Sequence, residues 1–212
     1  MPLKAAIVPV TPFQQNCTLL WDEESKAGAV VDPGGDVARI RSAIEETGAR
    51  IDKILLTHGH IDHAGGAAEL AAELGVPIEG PHEADRFLLD TLGVQGLGFG
   101  MIGARNVTPD RWLGEGEEVE AAGAVFSILH CPGHTPGSVV LVDHTHRLAL
   151  VGDVLFRGSI GRTDFPYGNH ALLIRGIEEK LLTLPDDFVF ISGHGPTGTI
   201  GEERRTNPFL QG

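Results

Sequence analysis

Five histidines and two aspartates lie in loops that directly follow short apolar stretches of the sequence. Each stretch is bounded by Gly, Pro or Asp and predicts a β-strand. Side chains at the ends of neighbouring strands meet on one rim of an α/β fold, where such folds place their sites. We therefore expect seven residues to converge on one site: His58, His60, Asp62, His63, His134, Asp153 and His194.

These seven side chains have the chemistry of ligands for divalent metal ions. Imidazole nitrogens favour zinc and similar metals, while carboxylates chelate or bridge ions. In an extended loop, His58 and His60 point to the same side. Glycines at positions 59, 133, 152 and 193 allow the tight turns that bring a loop close to an ion. The pattern predicts two divalent metal ions that share one water, with zinc expected and iron or manganese as alternatives.

The remaining histidines and the two cysteines are interpreted as structural or solvated residues. A single histidine at the end of a strand is usually hydrogen-bonded within the core, and these five have no partner motif: His82, His130, His144, His146 and His170. Cys131 lies three residues from His134 but has no second cysteine at metal spacing. Two cysteines give no disulfide framework, so we expect both to be reduced thiols.

Composition restricts the class of protein. The 212 residues are 42% hydrophobic and 21% charged, which suits one domain over residues 1–212. No apolar run approaches the roughly 20 residues of a membrane span. The apolar stretch 5–10 is too short for a signal peptide, so we expect a cytoplasmic protein. A net charge of −13 argues against a nucleic-acid partner.

Short apolar runs alternate with amphipathic stretches along the chain, with no fixed-period repeat. The predicted strands are Ala5–Val10, Cys17–Trp21, Gly28–Val31, Lys53–Leu56, Val76–Glu79, Val119–Ala121, Val125–Leu129, Ser138–Val142, Leu148–Val151 and Phe188–Ile191. The predicted helices are Val37–Thr47, Gly66–Leu74, Glu83–Leu92 and His170–Leu182. The segment Gly93–Asn106 is rich in glycine without clear periodicity, and it is interpreted either as a packed loop or as a flap over the site.

The motif Thr57-His58-Gly59-His60-Ile61-Asp62-His63 resembles the T-H-x-H-x-D-H signature of the metallo-β-lactamase superfamily. Residues 133–138, 152–156 and 161–165 are similar to its glyoxalase II branch. The resemblance implies an α/β fold of one domain, a four-layer αββα sandwich. It also implies one metal held by His58, His60 and His134, a second held by Asp62, His63 and His194, and Asp153 as the bridge between them.

Two departures from glyoxalase II affect the expected substrate. Glyoxalase II carries a helical C-terminal domain. Only 18 residues follow His194 here, which implies a short form of that family without the helical domain. Arg162 and Asp164 stand where the family has a lysine and a tyrosine, a pattern that is similar to persulfide dioxygenases, as are residues 202–208. Arg162 is the predicted substrate-binding residue, because its guanidinium fork can receive a carboxylate of glutathione in bidentate fashion.

The predicted reaction is hydrolysis of a thioester such as S-lactoylglutathione by a metal-bridging hydroxide. A thiolate with a free pKa of about 8.5 leaves without a general acid, which favours a thioester over an amide. Asp62 and Asp153 are the predicted catalytic carboxylates, with Asp62 moving a proton. The alternative is an iron dioxygenase of glutathione persulfide, with His58, His134 and Asp153 as its facial triad. A third hypothesis is a metal-binding protein without catalysis.

Overall fold

The first five strands form one sheet in the order β1-β2-β3-β4-β5. In the computed structural model, which describes residues 2–211, β1 to β3 pair antiparallel, and β4 and β5 continue the sheet in parallel. The strands are β1 (Leu3–Val10), β2 (Gln15–Asp22), β3 (Ala27–Val31), β4 (Arg50–Leu55) and β5 (Ile78–Glu79).

The later strands form a second sheet and a small hairpin. The second sheet has the order β13-β12-β9-β8-β7-β6, and the hairpin consists of β10 and β11. The strands are β6 (Glu118–Ala121), β7 (Ala124–His130), β8 (Val139–Asp143), β9 (Leu148–Gly152), β10 (Leu155–Phe156), β11 (Ser159–Ile160), β12 (Val189–Ser192) and β13 (Gly198–Thr199). Among the described residues, β9 and β12 form the only parallel pair of this second sheet, which sets Gly152 beside Ser192.

Short helices connect the strands. They are α1 (Val37–Thr47), α2 (Ile61–Ala64), α3 (Ala67–Leu74), α4 (Arg86–Leu89), α5 (Leu92–Phe99), α6 (His170–Gly176) and α7 (Ile200–Thr206). A 3₁₀ turn, Glu83–Asp85, precedes α4, and a π turn, Ile177–Leu181, extends α6. No helix among residues 2–211 is long and apolar enough to cross a membrane.

Apolar side chains that point alternately to the two faces of each sheet form three apolar layers. On β2, Leu19 packs toward α1 and α3, whereas Leu20 packs between the two sheets. On β8, Leu141 lies between the sheets, and Val142 packs toward α6 and the π turn. Successive strand side chains point to opposite faces, so each sheet buries both of its faces. The predicted αββα sandwich is confirmed.

The differences from prediction are local. The predicted helix Glu83–Leu92 is a 3₁₀ turn followed by the short α4, because Asp90 and Thr91 interrupt it before α5 begins. The segment Gly93–Asn106, for which the sequence predicts either a packed loop or a flap, contains most of α5. The sequence did not indicate α2, α7, β13 or the β10–β11 hairpin, which are only two to seven residues long. Of the predicted domain 1–212, Met1 and Gly212 lie outside the described residues.

Candidate metal centre

The seven residues of the predicted site come from the ends of four strands and lie together. The loop after β4 begins with Thr57 and His58, and it continues into the single turn of α2. Asp153 follows β9 directly, and His194 follows β12 after one glycine. Because β9 and β12 are parallel neighbours with Gly152 beside Ser192, these two ligand-bearing loops must be adjacent.

Three imidazole rings form the first cluster. His58 Nε2 lies 3.1 Å from His60 Nδ1, and His134 Nε2 lies 2.9 Å from the same His60 atom. His58 and His134 are buried, and His60 is partly exposed. Three nitrogens around one point match the set of ligands that zinc and similar ions bind.

The second cluster combines an aspartate with two imidazole rings. Asp62 Oδ2 lies 3.1 Å from His194 Nε2 and 3.9 Å from His63 Nε2. His63 is fully buried, while the side chain of His194 is 29% exposed and opens the cluster to solvent. These three residues form a second group that could hold a metal ion.

Asp153 lies between the two clusters. Its Oδ1 is 3.3 Å from His63 Nε2, and its Oδ2 is 3.5 Å from His134 Nε2 and 3.7 Å from His194 Nε2. The carboxylate therefore faces both groups at once, which is the position that a bridging ligand requires. The structure brings together all seven residues that the sequence predicted.

The outer nitrogen of each imidazole ring makes a hydrogen bond away from the centre. Since the hydroxyl of Thr57 donates to Asp32, its oxygen accepts from His58 Nδ1. His63 Nδ1 donates to the Asp32 carboxylate at 2.9 Å. The other outer contacts are His60 Nε2 to the Tyr167 hydroxyl (2.9 Å), His134 Nδ1 to the Arg162 carbonyl (2.8 Å) and His194 Nδ1 to the Phe13 carbonyl (3.2 Å). With the proton on the outer nitrogen, each inner nitrogen presents a lone pair.

Two buried atoms at the centre have no hydrogen-bond partner among the described residues, His63 Nε2 and Asp153 Oδ1. Buried polar atoms in folded proteins are almost always satisfied, by hydrogen bonds or by an ion. Both unsatisfied atoms belong to the predicted ligand set and face one another. The donor set therefore fits divalent metal ions.

The pKa values of the first cluster favour the ligand forms. Burial, and then the neighbouring imidazoles, lower the pKa of His58 well below its usual value, and burial with His134 lowers that of His60 to about 3. The pKa of Asp153 is also lowered: burial opposes this, but His63 and the other imidazoles outweigh it. Neutral imidazoles and an ionised carboxylate are the states that bind a metal.

His63 differs, because it faces three carboxylates. Burial acts to lower its pKa, but the charges of Asp153, Asp62 and Asp32 together raise it well above the usual value. A proton on His63 and a cation between these groups compete for the same negative potential. Metal binding at the second cluster is therefore expected to release a proton.

Asp32 is the main residue of the site that the sequence reasoning missed. It is buried, and it accepts the backbone N–H of Thr57 at 2.7 Å as well as the bonds from the Thr57 hydroxyl and His63. It also forms a third group of possible ligands with His58 and His63. Because its contacts are to the outer nitrogen and to Thr57, we interpret Asp32 as the residue that orients the ligands.

Asp85 joins two ligand-bearing loops and was also missed. Its buried carboxylate accepts the backbone N–H groups of Gly59 (2.8 Å) and Gly137 (2.6 Å) and the hydroxyl of Thr135 (2.7 Å). Gly59 lies between His58 and His60, and Thr135 follows His134. Burial raises the pKa of Asp85 to about 6, although the three hydrogen bonds act in the opposite direction.

Gly193 allows the close approach that the sequence pattern predicted at the β12 end. A Cβ atom at this position would collide with the Asp153 carboxylate and the His63 ring. The Gly193 carbonyl also accepts the Asn16 N–H at 2.7 Å, and the Asn16 side chain donates to the Ser192 and Gly195 carbonyls. The loop that carries His194 is thereby connected to the first sheet.

Arg162 lies at the rim of the first cluster, with an exposed side chain. Its guanidinium makes an ion pair with Asp164 and lies over the Phe165 ring, 4.4 Å from the ring centroid. The Phe165 ring stacks on Tyr167 and lies 5.1 Å from the His60 ring. The substrate-binding role of Arg162 stays a prediction, since the structure assigns it an ion pair with Asp164.

The remaining histidines lie outside these clusters. His82 and His130 stack on each other at 4.0 Å, and His130 Nε2 donates to the Pro136 carbonyl. His146 pairs with Asp143, and His144 contacts the edge of Phe188. Within residues 2–211, none of the five belongs to a group of three possible metal ligands. Cys17 and Cys131 are buried free thiols.

This fold and this arrangement of possible ligands are typical of metal-dependent hydrolases. The comparison with known families supports the same class of protein. The model of the metallo-beta-lactamase superfamily matches residues 10–194, and the chain belongs to that superfamily. It is 50% identical over 205 residues to hydroxyacylglutathione hydrolase GloC of Haemophilus influenzae, covering 96% of both chains.

Two solved structures are similar over nearly the whole chain. One is a B3 metallo-beta-lactamase, BLEG-1, with a TM-score of 0.88 and 34% identity, covering 99% of this chain and all of the other. The second is TTHA1623 in a di-iron-bound form, with a TM-score of 0.85 and 35% identity, covering 97% of this chain and all of the other. The family, together with the fit of the donor set, makes this chain a metal-dependent hydrolase.

Proposed function

We propose that the protein uses two divalent metal ions to hydrolyse a thioester of glutathione, such as S-lactoylglutathione. Zinc is the expected metal. The observation that carries the proposal is the orientation of the five imidazoles, whose outer nitrogens all hydrogen-bond to protein groups and whose inner nitrogens face two points on either side of Asp153. The similarity to a hydroxyacylglutathione hydrolase supports the choice of substrate.

The two proposed ligand sets are those named by the sequence. His58, His60 and His134 would hold one ion, and Asp62, His63 and His194 would hold the other, with the Asp153 carboxylate facing both groups. When bound, two such cations supply a hydroxide near neutral pH and an acceptor for the negative charge that develops on the carbonyl oxygen.

A side chain of the protein itself, that of Asp62, then exchanges protons with the site. Asp62 has a side chain that is 16% exposed, so its carboxylate touches both the cluster and the solvent. Burial raises its pKa, but His63 and His194 outweigh this and hold the pKa below the usual value, which keeps Asp62 ionised and able to receive a proton. The thiolate product leaves without a protein acid, because a free thiol has a pKa of about 8.5.

Arg162 is proposed to bind a carboxylate of the glutathione moiety. A ligand carboxylate would replace Asp164 at the guanidinium, and bidentate pairing of that kind is specific to arginine. Because the contact is remote from the carbonyl, it is made equally in the ground and transition states. Arg162→Ala should therefore raise KM about tenfold, or ~1.4 kcal/mol, and leave kcat nearly unchanged.

The test is a set of Michaelis curves for wild type and Arg162→Ala on a glutathione thioester and on an uncharged thioester. Only the glutathione thioester should show the penalty. Arg157→Ala is the matched control, because Arg157 is an exposed arginine that pairs with Glu202 instead. An equal loss on both thioesters would assign Arg162 to the support of the His134 loop. If the wild type hydrolyses neither thioester and consumes oxygen with glutathione persulfide, the proposed function is wrong and the dioxygenase alternative replaces it.

A further inference from the structure

The two clusters border chemically different surfaces. Beside the first cluster lie Arg162, Phe165 and Tyr167, which combine a cation, a hydroxyl and an aromatic face. Beside the second cluster lies the β1–β2 turn, where the Phe13 carbonyl accepts the bond from His194 Nδ1. A ligand centred on the clusters therefore meets Arg162 with the Phe165–Tyr167 stack at one end and the Phe13 turn at the other.

The Phe13 turn is continuous with an apolar segment. The Phe99 ring at the end of α5 packs edge-on against the Phe13 ring, with centroids 5.6 Å apart. The helix α5 also packs beside α2, which carries Asp62 and His63. We call Phe13 together with residues 92–104 the apolar arm.

The apolar arm carries no charged side chain. Residues 92–104 contain no Asp, Glu, Lys or Arg, in a chain that is 21% charged. Phe13 is 44% exposed and Phe99 52% exposed, and Val94, Leu97 and Ile102 of the same segment are each more than 70% exposed. Contiguous exposed apolar surface beside a site is characteristic of ligand binding, because covering it removes it from water.

The apolar arm is held against the rest of the fold, so it is a formed surface. Thr11, at the start of the β1–β2 turn, donates its N–H to Asp36 at 2.8 Å. The N–H of Gly93 donates to the Asn106 side chain at 2.9 Å, and Leu92 is fully buried. Phe13, whose carbonyl contacts His194, and Phe99, which packs on the Phe13 ring, thus have a fixed place in the fold.

We propose that the apolar arm receives the acyl group of the thioester, so that acyl groups with an apolar chain or ring bind more tightly than the small lactoyl group, which the site also admits. This inference rests on the proposed function, in which Arg162 holds the glutathione end beside the first cluster. The acyl end must then extend past the second cluster, where Phe13 and Phe99 lie.

Binding of two glutathione thioethers, S-methyl and S-hexyl, tests the inference without any hydrolysis. Calorimetry on the metal-loaded wild type should give a Kd for the hexyl compound at least about tenfold lower. Phe99→Ser should reduce that ratio to about threefold or less. Phe209→Ser is the matched control, because Phe209 is exposed to the same extent (50%) and lies in the segment after α7; it should keep the wild-type ratio. Equal unfolding midpoints would verify that both variants fold.

Hydrolysis of acetyl and hexanoyl thioesters of glutathione separates the two proposals. If the wild type hydrolyses both with equal kcat/KM and binds both thioethers equally, the inference is overturned and the proposed function stands. If it hydrolyses neither but prefers the hexyl thioether through Phe99, the proposed function fails and the apolar site remains. A dimer that Phe99→Ser dissociates, without any chain-length preference, would assign the apolar arm to a second copy of the chain and overturn the inference.

Discussion

At the scale of single residues, Asp32 determines which nitrogen of His63 faces the second cluster. Its carboxylate also fixes Thr57, whose oxygen accepts the outer N–H of His58. One buried side chain therefore orients a ligand in each proposed metal site. Partners of this kind typically change metal affinity or activity 10- to 100-fold when they are removed.

Asp32→Asn should lower metal affinity by about 10- to 100-fold. The two carboxylate oxygens of Asp32 accept three hydrogen bonds, whereas an amide has only one acceptor oxygen. Asp52→Asn is the control, since Asp52 is an exposed aspartate on β4 that pairs with Arg50. Competition with a chromophoric chelator measures the affinity of both variants. Equal affinity in Asp32→Asn and the wild type would contradict the role assigned to Asp32.

The seven clustered residues could be predicted because each follows a strand in a recognisable order, and the structure brings all of them together. Asp32 follows β3 in the same way, so the strand-end rule should have included it. Tyr167 had no such signal, because it lies in a loop and contacts His60 across 107 positions of sequence. The carbonyls of Phe13 and Arg162 could not be predicted at all, because every residue has a carbonyl group and only tertiary structure selects one.

At the scale of elements, Asp85 connects the loop after β4 with the loop after β7. Both loops carry ligands of the first cluster, and the connection is one carboxylate with three donors. Losing one acceptor would leave a buried donor unsatisfied, which costs about 1–3 kcal/mol. The two loops belong to different sheets, so Asp85 also holds the sandwich together at this edge.

Asp85→Asn should lower the free energy of unfolding, and the loss should depend on pH. The folded pKa of Asp85, about 6, is above that of an unfolded aspartate, about 3.9, so the native state binds the proton more tightly. The stabilisation from that proton is present at low pH and is lost as the pH rises through about 6.

The measurement is urea unfolding of both proteins at pH 4.5 and 7.5. The difference between wild type and Asp85→Asn should be about 2 kcal/mol larger at pH 4.5, from a shift of about two pKa units. The control is Asp52→Asn, which changes an exposed aspartate and should show no pH-dependent difference from the wild type. Asp143 would not serve as a control, because it is buried and hydrogen-bonded to His146. A difference that stays constant or grows with pH would contradict the account of Asp85.

The long elements could be predicted and the short ones could not. On α1, Val37, Ile40 and Ile44 repeat at helical spacing, and Gly48 ends the helix in the left-handed region at φ 67°. By contrast, α5 contains three glycines, which individually disfavour a helix, and its formation depends on tertiary contacts such as that of Gly93 with Asn106. The two-residue strands of the β10–β11 hairpin are too short to carry a periodic pattern.

At the scale of the whole molecule, the pairing of the sheets creates the site. The parallel pairing of β9 with β12 sets Asp153 beside the His194 loop, and the bond from Asn16 to Gly193 joins the first sheet to that loop. Strand order of this kind cannot be read from local patterns, because it depends on contacts between residues that are distant in the sequence, such as Gly152 with Ser192 and Asn16 with Gly193. The resemblance to the superfamily, rather than periodicity, supplied the correct four-layer arrangement.

The most direct test of the two-metal centre is the metal content per chain of wild type, Asp62→Ala and Asp52→Asn. Two equivalents are expected in the wild type and in the Asp52→Asn control. Asp62→Ala should retain about one equivalent, held by His58, His60 and His134, and should lose hydrolysis by orders of magnitude. A wild type that binds a single equivalent of iron, with the same content and the same oxygen uptake in Asp62→Ala, would contradict the account.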